Sequence, residues 1–325
     1  MTQNILNGYQ LMFDYTLVPI GSRYWITNAK VGSRYLTQFQ TKSEDTLKIK
    51  ITICTSDDEQ QSAGSIIYDI CGVRCKIFVF VGTNNELDME LTETKFKAIM
   101  DRCSVWLIRN PFERFKSGAI QKITEFYLDM RDAYLNKRGD WEKVLFTPNR
   151  SIHLDYPLDW SFFLERFPDE HDNTSDMNKK WFDNWKRFAE YLFLDVSRYT
   201  DVSQILSGDV HTQPYLYHLK LLFTQLNIID KLTILDISEL DSRPDLLITE
   251  LGKVKYDEIQ SDLYNDYKKD EQGNERTDVE YKQFVNESLV KYKNVNYTSL
   301  ERYFQYSDIY RWEMVIYLML LKNKK

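Results

Sequence analysis

The sequence predicts an α/β protein, with a central parallel sheet flanked by helices and a helix-rich second half. Three observations carry this reading. Apolar runs and helix-like segments alternate along the first half. Two of those runs, "KIFVFVG" (Lys76 to Gly82) and "SVWLI" (Ser104 to Ile108), are nearly continuous, as strands buried on both faces of a parallel sheet are. From Phe115 onward the apolar positions Phe115, Ala119, Ile123, Phe126, Met130 and Tyr134 keep a helical period.

In chain order, "RYWIT" (Arg23 to Thr27) is a short strand, "NAKVGS" a loop and "RYLTQFQ" the start of a helix. "LKIKITICT" (Leu47 to Thr55) alternates apolar and polar side chains and is a strand. "TETKFKAIM" supplies a helix between the two continuous apolar runs, so right-handed crossovers are expected. Aromatic helices follow around Trp160 to Phe167 and Lys180 to Leu194, and "KLTILDI" (Lys231 to Ile237) is one more buried strand. The chain ends in an aromatic helix from Leu300 to Leu321, while the polar stretches Pro168 to Lys180 and Asp266 to Asp278 are loops. With no repeat and no sharp change of composition, the 325 residues form one domain. Its core covers about 20–135 plus the strand at 231–237, and its helical part about 136–325.

Composition narrows the function. A formal net charge of −7 argues against nucleic-acid or anionic-membrane binding by bulk electrostatics and leaves room only for a local basic pocket. The apolar run Met314 to Leu321 is far short of the roughly 20 residues of a membrane span, and no basic-then-apolar leader opens the chain. The expected location is therefore cytoplasmic. Cys54, Cys71, Cys75 and Cys103 match no zinc spacing and are expected to be reduced thiols. No metal is expected.

In open α/β sheets, ligands sit at the carboxyl ends of the strands. Two loops there are furnished for anions. In "NAKVGSR" (Asn28 to Arg34), Gly32 lets the backbone approach an anion, the helix start offers free N–H groups, and Lys30 adds a point charge. The GxxxxGK[ST] pattern of an ordinary phosphate loop is absent, which weakens an ATPase or kinase reading. In "VWLIRNPFERFKSGAI" (Val105 to Ile120), Arg109 ends a buried strand, Pro111 stops ladder pairing, and Ser117 lies about two turns into the next helix. A guanidinium and a hydroxyl so spaced can hold one phosphate, and Arg114 adds positive potential. Two anion sites on neighbouring loops call for a ligand with phosphate at both ends.

"KVGS" after an early strand, followed by R-x-P-x-x-R-x-x-S after a later one, resembles the 5′-phosphosulfate and 3′-phosphate motifs of the sulfotransferase superfamily. "RNPFERFKSG" is most similar to the carbohydrate sulfotransferases of the chondroitin and HNK-1 type, and "AKVGS" resembles their P-K-V-G-C segment. "HTQP" (His211 to Pro214), "LTILDISEL" and "YFQYSDIY" loosely resemble further elements of that group. Ala29 stands where the family has proline, and Arg34 where a second hydroxyl is common. The resemblance is strongest over about 100 residues, from Arg23 to Met130.

The resemblance implies a P-loop-like sulfotransferase fold and the donor 3′-phosphoadenosine 5′-phosphosulfate (PAPS), with 3′,5′-ADP as product. It implies that Lys30, Val31, Gly32, Ser33 and Arg34 hold the 5′ end, and Arg109 with Ser117 the 3′-phosphate. The acceptor would carry a hydroxyl on a glycan, lipid or small alcohol. Lys30 would steady the charge that builds on the bridging oxygen. Asp57 and Glu59, just after the "KITICT" strand, or His211 from the second half, would take the acceptor proton. Two other classes remain open, a non-catalytic nucleotide-binding or structural protein and an atypical nucleotide-dependent phosphotransferase.

Overall fold

A computed structural model describes residues 12–28, 31–54, 64–70, 72–82, 84, 86–119, 212, 214–268 and 296–322. The expected helices near 160–167 and 180–194 and the loop at 168–180 lie outside them. Contacts divide the chain into two compact units. The first comprises Met1–Arg114, Gln213–Gly273 and Trp312–Lys325, and the second Phe115–Thr212 and Asn274–Arg311.

The first unit is built on an eight-stranded sheet. Its strands are β1 (Met12–Ile20), β2 (Arg23–Thr27), β3 (Leu47–Ile53), β4 (Ser65–Ile70), β5 (Val73–Val81), β6 (Glu86–Leu87), β7 (Cys103–Ile108) and β8 (Thr233–Asp236). They lie in the order β4-β5-β3-β1-β2-β7-β8, with β6 paired to β5. With the helices described below, this is an α/β architecture.

The sheet is mixed, however, not parallel throughout as the sequence suggested. Among the described residues, β2–β7 and β7–β8 pair in parallel. β1, β3, β4, β5 and β6 join by antiparallel ladders. The run containing "KIFVFVG" is antiparallel β5. Ile70 faces Val73 across a two-residue connection that includes Gly72 at φ 83°. A turn that short can only reverse the chain, because a parallel partner needs a crossover of a dozen residues or more.

Strand β1 escaped the sequence reading because Pro19 interrupts its apolar run. The proline is tolerated for a local reason. The carbonyl of Pro19 accepts from the Thr41 N–H (2.8 Å), so that edge of the residue points away from β2. The β3 ladder on that side has already ended at Leu17 and Leu47, and no ladder N–H is needed there. The β1–β2 hairpin turns at Gly21 and Ser22, with Gly21 at φ 64°. A Cβ on Gly21 would fall 2.2 Å from the Glu250 carbonyl oxygen, so glycine is required by both dihedral and space.

Helix α1 (Ser33–Gln38) follows β2, and α2 (Glu93–Asp101) crosses from β6 to β7. Thr92 caps α2 by accepting from the Lys95 N–H (3.2 Å). A helix over 111–119 (α3) leaves β7. Pro111 is its first residue, where the missing N–H costs nothing, and the Asn110 side chain accepts from the N–H groups of Phe112 (3.0 Å) and Glu113 (3.2 Å).

Helix α4 (Leu216–Gln225) packs a stripe of Leu216, Leu219, Leu222 and Phe223 into the core. Phe223 meets Trp106 edge to face at 5.0 Å, and both are fully buried. Helices α5 (Pro244–Leu251) and α6 (Lys253–Lys268) follow β8. Of the expected loop at 266–278, residues 266–268 instead continue α6, since polar residues alone do not break a helix, and 269–278 lie outside the described residues.

The expected single C-terminal helix is two, α7 (Thr298–Tyr306) and α8 (Asp308–Lys322). Ser307 between them is extended (φ −78°, ψ 118°). Its carbonyl accepts from the Arg311 N–H (3.1 Å), so it serves as the start of α8. In the second unit, Phe115 is buried against the rings of Phe304 (5.6 Å) and Tyr310 (4.7 Å).

His218 on α4 stacks on Phe13 (5.4 Å) and meets Tyr217 edge on (5.5 Å). Burial lowers it to about 4 from 6.5. The unfolded chain therefore binds this proton first, and stability falls as pH drops from about 6.5 to about 4. In His218→Phe that part of the acid sensitivity is expected to vanish. Denaturant midpoints of both proteins at pH 7, 5.5 and 4.5 check it, and parallel profiles would refute it.

Candidate functional site

Strands β2, β7 and β8 run in parallel side by side, so their carboxyl ends open at one edge of the sheet. Chain reversal there leaves backbone groups and loop side chains free of the ladder, which is why such edges collect ligands.

The β2 end is a tight loop. The Thr27 hydroxyl donates to the Val31 carbonyl (2.6 Å), and the Val31 N–H donates to the Asn28 carbonyl (3.0 Å). Val31 is fully buried. Gly32 sits at φ 76°, ψ 14° as the cap of α1, and its carbonyl accepts the first helical bond, from Leu36 (3.0 Å). A Cβ on Gly32 would lie 2.7 Å from Ile237 Cδ1 and 3.9 Å from Leu107 Cδ1. The loop thus rests against β7 and the residue after β8, with its backbone as close as glycine allows. Ser33 and Arg34 open α1.

Asn28 itself is buried. Its side-chain N–H donates to the Asp14 carbonyl (2.6 Å), while Oδ1 has no hydrogen-bond partner among the described residues. An orphaned acceptor of this kind normally costs a desolvation penalty of about 1–3 kcal/mol. Asp14 is also paired with Lys48 at 3.1 Å.

At the β7 end, Arg109 is half-buried. Burial lowers its pKa, opposed chiefly by the negative charge of Glu113 and further by Asp236, while the neighbouring Arg114 adds to the lowering. A guanidinium stays charged in a protein, so this desolvation is borne as a demand for negative partners.

At the β8 end, Asp236 faces Ile108 in register and is 4% exposed. It accepts from the Ser238 N–H (2.8 Å), the Ser238 hydroxyl (2.6 Å) and the Tyr317 hydroxyl (2.5 Å). Burial, and then this bond to a carboxylate, push the Tyr317 phenol upward. Asp236 thereby ties α8 to the sheet edge.

Arg114, expected to add positive potential, packs inside the fold. It is 3% exposed and lies over the Tyr215 ring at 4.4 Å. Nearby, Glu313 from α8 accepts from the N–H groups of Tyr215 and Leu216 (both 2.6 Å) and of Tyr217 (3.4 Å). Tyr215, at the cap position of α4, offers no side-chain cap of its own. A carboxylate from a distant helix thus satisfies the free donors at the start of α4.

Among the expected site residues in the first unit, Val31 and Gly32 lie on the loop after β2, Ser33 and Arg34 are the first residues of α1, and Arg109 follows the neighbouring β7. Ser117 is a half-buried residue of α3 in the second unit. Lys30, Asp57, Glu59 and His211 lie outside the described residues.

Asn28, Asp236 and Glu313 were missed by the sequence reading. The first two had a legible signal, a polar residue at the end of an apolar strand. Glu313 had none, since its contacts span about a hundred residues. No family model, no curated protein and no solved structure matches the chain.

Proposed function

We propose that this protein is a sulfotransferase that moves a sulfuryl group from PAPS to an acceptor hydroxyl. The observation that carries the reading is the tight packing of the Gly32 loop beside the end of β7, where the half-buried Arg109 begins the second phosphate motif. A glycine loop pressed against Ile237 and Leu107, next to a desolvated cation, suits the two-phosphate donor that the motifs imply. PAPS supplies the activated sulfuryl group.

In this reading the backbone of Gly32 and Ser33 binds the 5′ end, Val31 braces the loop through its bonds to Thr27 and Asn28, and Lys30 balances the charge that grows on the bridging oxygen. Arg109 and Ser117 bind the 3′-phosphate. As the acceptor oxygen bonds to sulfur, the bond from sulfur to the bridging oxygen breaks, 3′,5′-ADP leaves, and the acceptor proton passes to a base. Asp57, Glu59 and His211 are the candidates for that base.

The test is a thermal-shift comparison. A ligand that binds only the folded chain raises its apparent stability by mass action, and 3′,5′-ADP is expected to stabilise the protein clearly more than 5′-AMP. Arg109→Ala should erase that difference while leaving the 5′-AMP shift nearly intact. Equal shifts for the two nucleotides in the wild type would sink the 3′-phosphate assignment. ATP in place of 3′,5′-ADP as the best ligand would favour a phosphotransferase.

A further inference from the structure

Helix α8 buries one side and leaves the other bare. Ile316, Tyr317 and Leu320 are buried, whereas Trp312, Val315, Leu318 and Met319 are 58%, 44%, 50% and 43% exposed. The remaining large exposed apolar residues among those described, Met89, Val254 and Tyr306, belong to three other segments. Single exposed apolar residues are ordinary, but four on one helix face are a patch that calls for a partner.

The spacing is that of a helical seam. Positions 308, 312, 315, 319 and 322 advance alternately by four and three residues, the a/d repeat through which two helices mesh. All five are exposed. Along this strip the residues read Asp308, Trp312, Val315, Met319, Lys322, so opposite charges cap an apolar centre.

That order is self-complementary on reversal. Two copies of α8 laid antiparallel about a two-fold axis at Val315 set Asp308 of each against Lys322 of the other, Trp312 against Leu318 with Met319 beside it, and Val315 against itself. A parallel pair would instead set Asp308 against Asp308 and Lys322 against Lys322. Asp308 contacts Arg311 on its own helix at 3.5 Å, but both side chains are largely exposed, and such pairs exchange readily. With a net charge of −7, copies of the chain repel one another in general. The charge-balanced strip is where they can approach.

We propose that this face of α8 docks a second copy of the chain through an antiparallel, isologous α8–α8 contact. Fifteen residues span about 22 Å. A single helix pair of this length falls below a standard interface of about 1,200–2,000 Å², so the dimer is weak and depends on concentration.

Sedimentation velocity of the full chain from about 1 to 200 μM tests this. A reversible monomer–dimer equilibrium is expected. Val315→Glu puts two carboxylates at the axis and should leave monomer at every concentration. Asp308→Lys and Lys322→Asp should each weaken the dimer by about tenfold or more, and the double exchange should restore it. Thermal melts by circular dichroism keep loss of folding distinct from loss of pairing. Monomer throughout for the wild type would overturn the proposal, as would a dimer indifferent to Val315→Glu. A double exchange that fails to recover what the single changes lost would overturn the antiparallel register. None of these readouts involves nucleotide, so they stand or fall separately from the proposed activity.

Discussion

On the proposed activity, Lys30→Ala is expected to slow sulfuryl transfer by about 10²–10³-fold in a single turnover at saturating PAPS, the usual cost of losing one preorganised stabilising group. Negative charge on the bridging oxygen grows as its bond to sulfur lengthens. An ammonium beside it is therefore worth more in the transition state than in the ground state, and its loss falls on turnover more than on donor affinity. Lys30→Arg should recover little, because a planar fork does not replace a compact charge in a loop as tight as the one closed by the Thr27 and Val31 bonds. The donor affinity of each variant, measured with 3′,5′-ADP, should stay within a few-fold of wild type. Wild-type rates in Lys30→Ala would remove the loop from the chemistry and leave a nucleotide-binding protein.

Glu313→Ala is expected to destabilise the fold by about 3–5 kcal/mol, the range for removing one member of a buried charged set. The change strips acceptors from the N–H groups of Tyr215, Leu216 and Tyr217, and it takes away a negative charge near the buried Arg114. Denaturant titration reads the loss as a lower midpoint with unchanged slope. A shift under about 1 kcal/mol would mean that water or other groups satisfy the start of α4.

Glu313→Gln separates charge from shape, since an amide oxygen still accepts from the helix. Burial holds the Glu313 carboxyl above its ordinary value of 4.5, against the pull of the backbone donors and Arg114. A raised folded pKa means that the folded chain takes the proton first. Ionised Glu313 therefore costs stability at neutral pH, and this cost is relieved as pH falls towards 4.5. Glu313→Gln should lose that component. His218 acts in the opposite sense over an overlapping range, so the comparison is best made in the His218→Phe background.

Much of the fold was legible because local pattern and final environment agree. β3 alternates and is half-buried in alternation; β7 is apolar except at Ser104 and almost continuously buried. Asn110 and Pro111 mark the start of α3 by side-chain chemistry alone. Strand direction was not legible. β5 looks like a parallel core strand, but a two-residue connection forces it antiparallel, and an apolar run does not record which way its neighbour points. β1 was hidden by Pro19, which is acceptable only because the β3 ladder stops two residues earlier.

The sequence by itself determined that the chain is α/β and that a glycine loop and an arginine each follow a strand. These follow from residue type and short spacing, which act within a few bonds. It also supplied the motifs on which the proposed chemistry rests. Only the tertiary structure decided that β2, β7 and β8 lie side by side in parallel, so that the Gly32 loop rests on Leu107 and Ile237. It alone revealed Arg114 as a buried partner of Tyr215, Asp236 as the tie to Tyr317, and Glu313 as the cap of α4. Those contacts join residues separated by up to about a hundred positions. Their energy depends on burial and on the alignment of charges, which exist only once the chain has closed on itself.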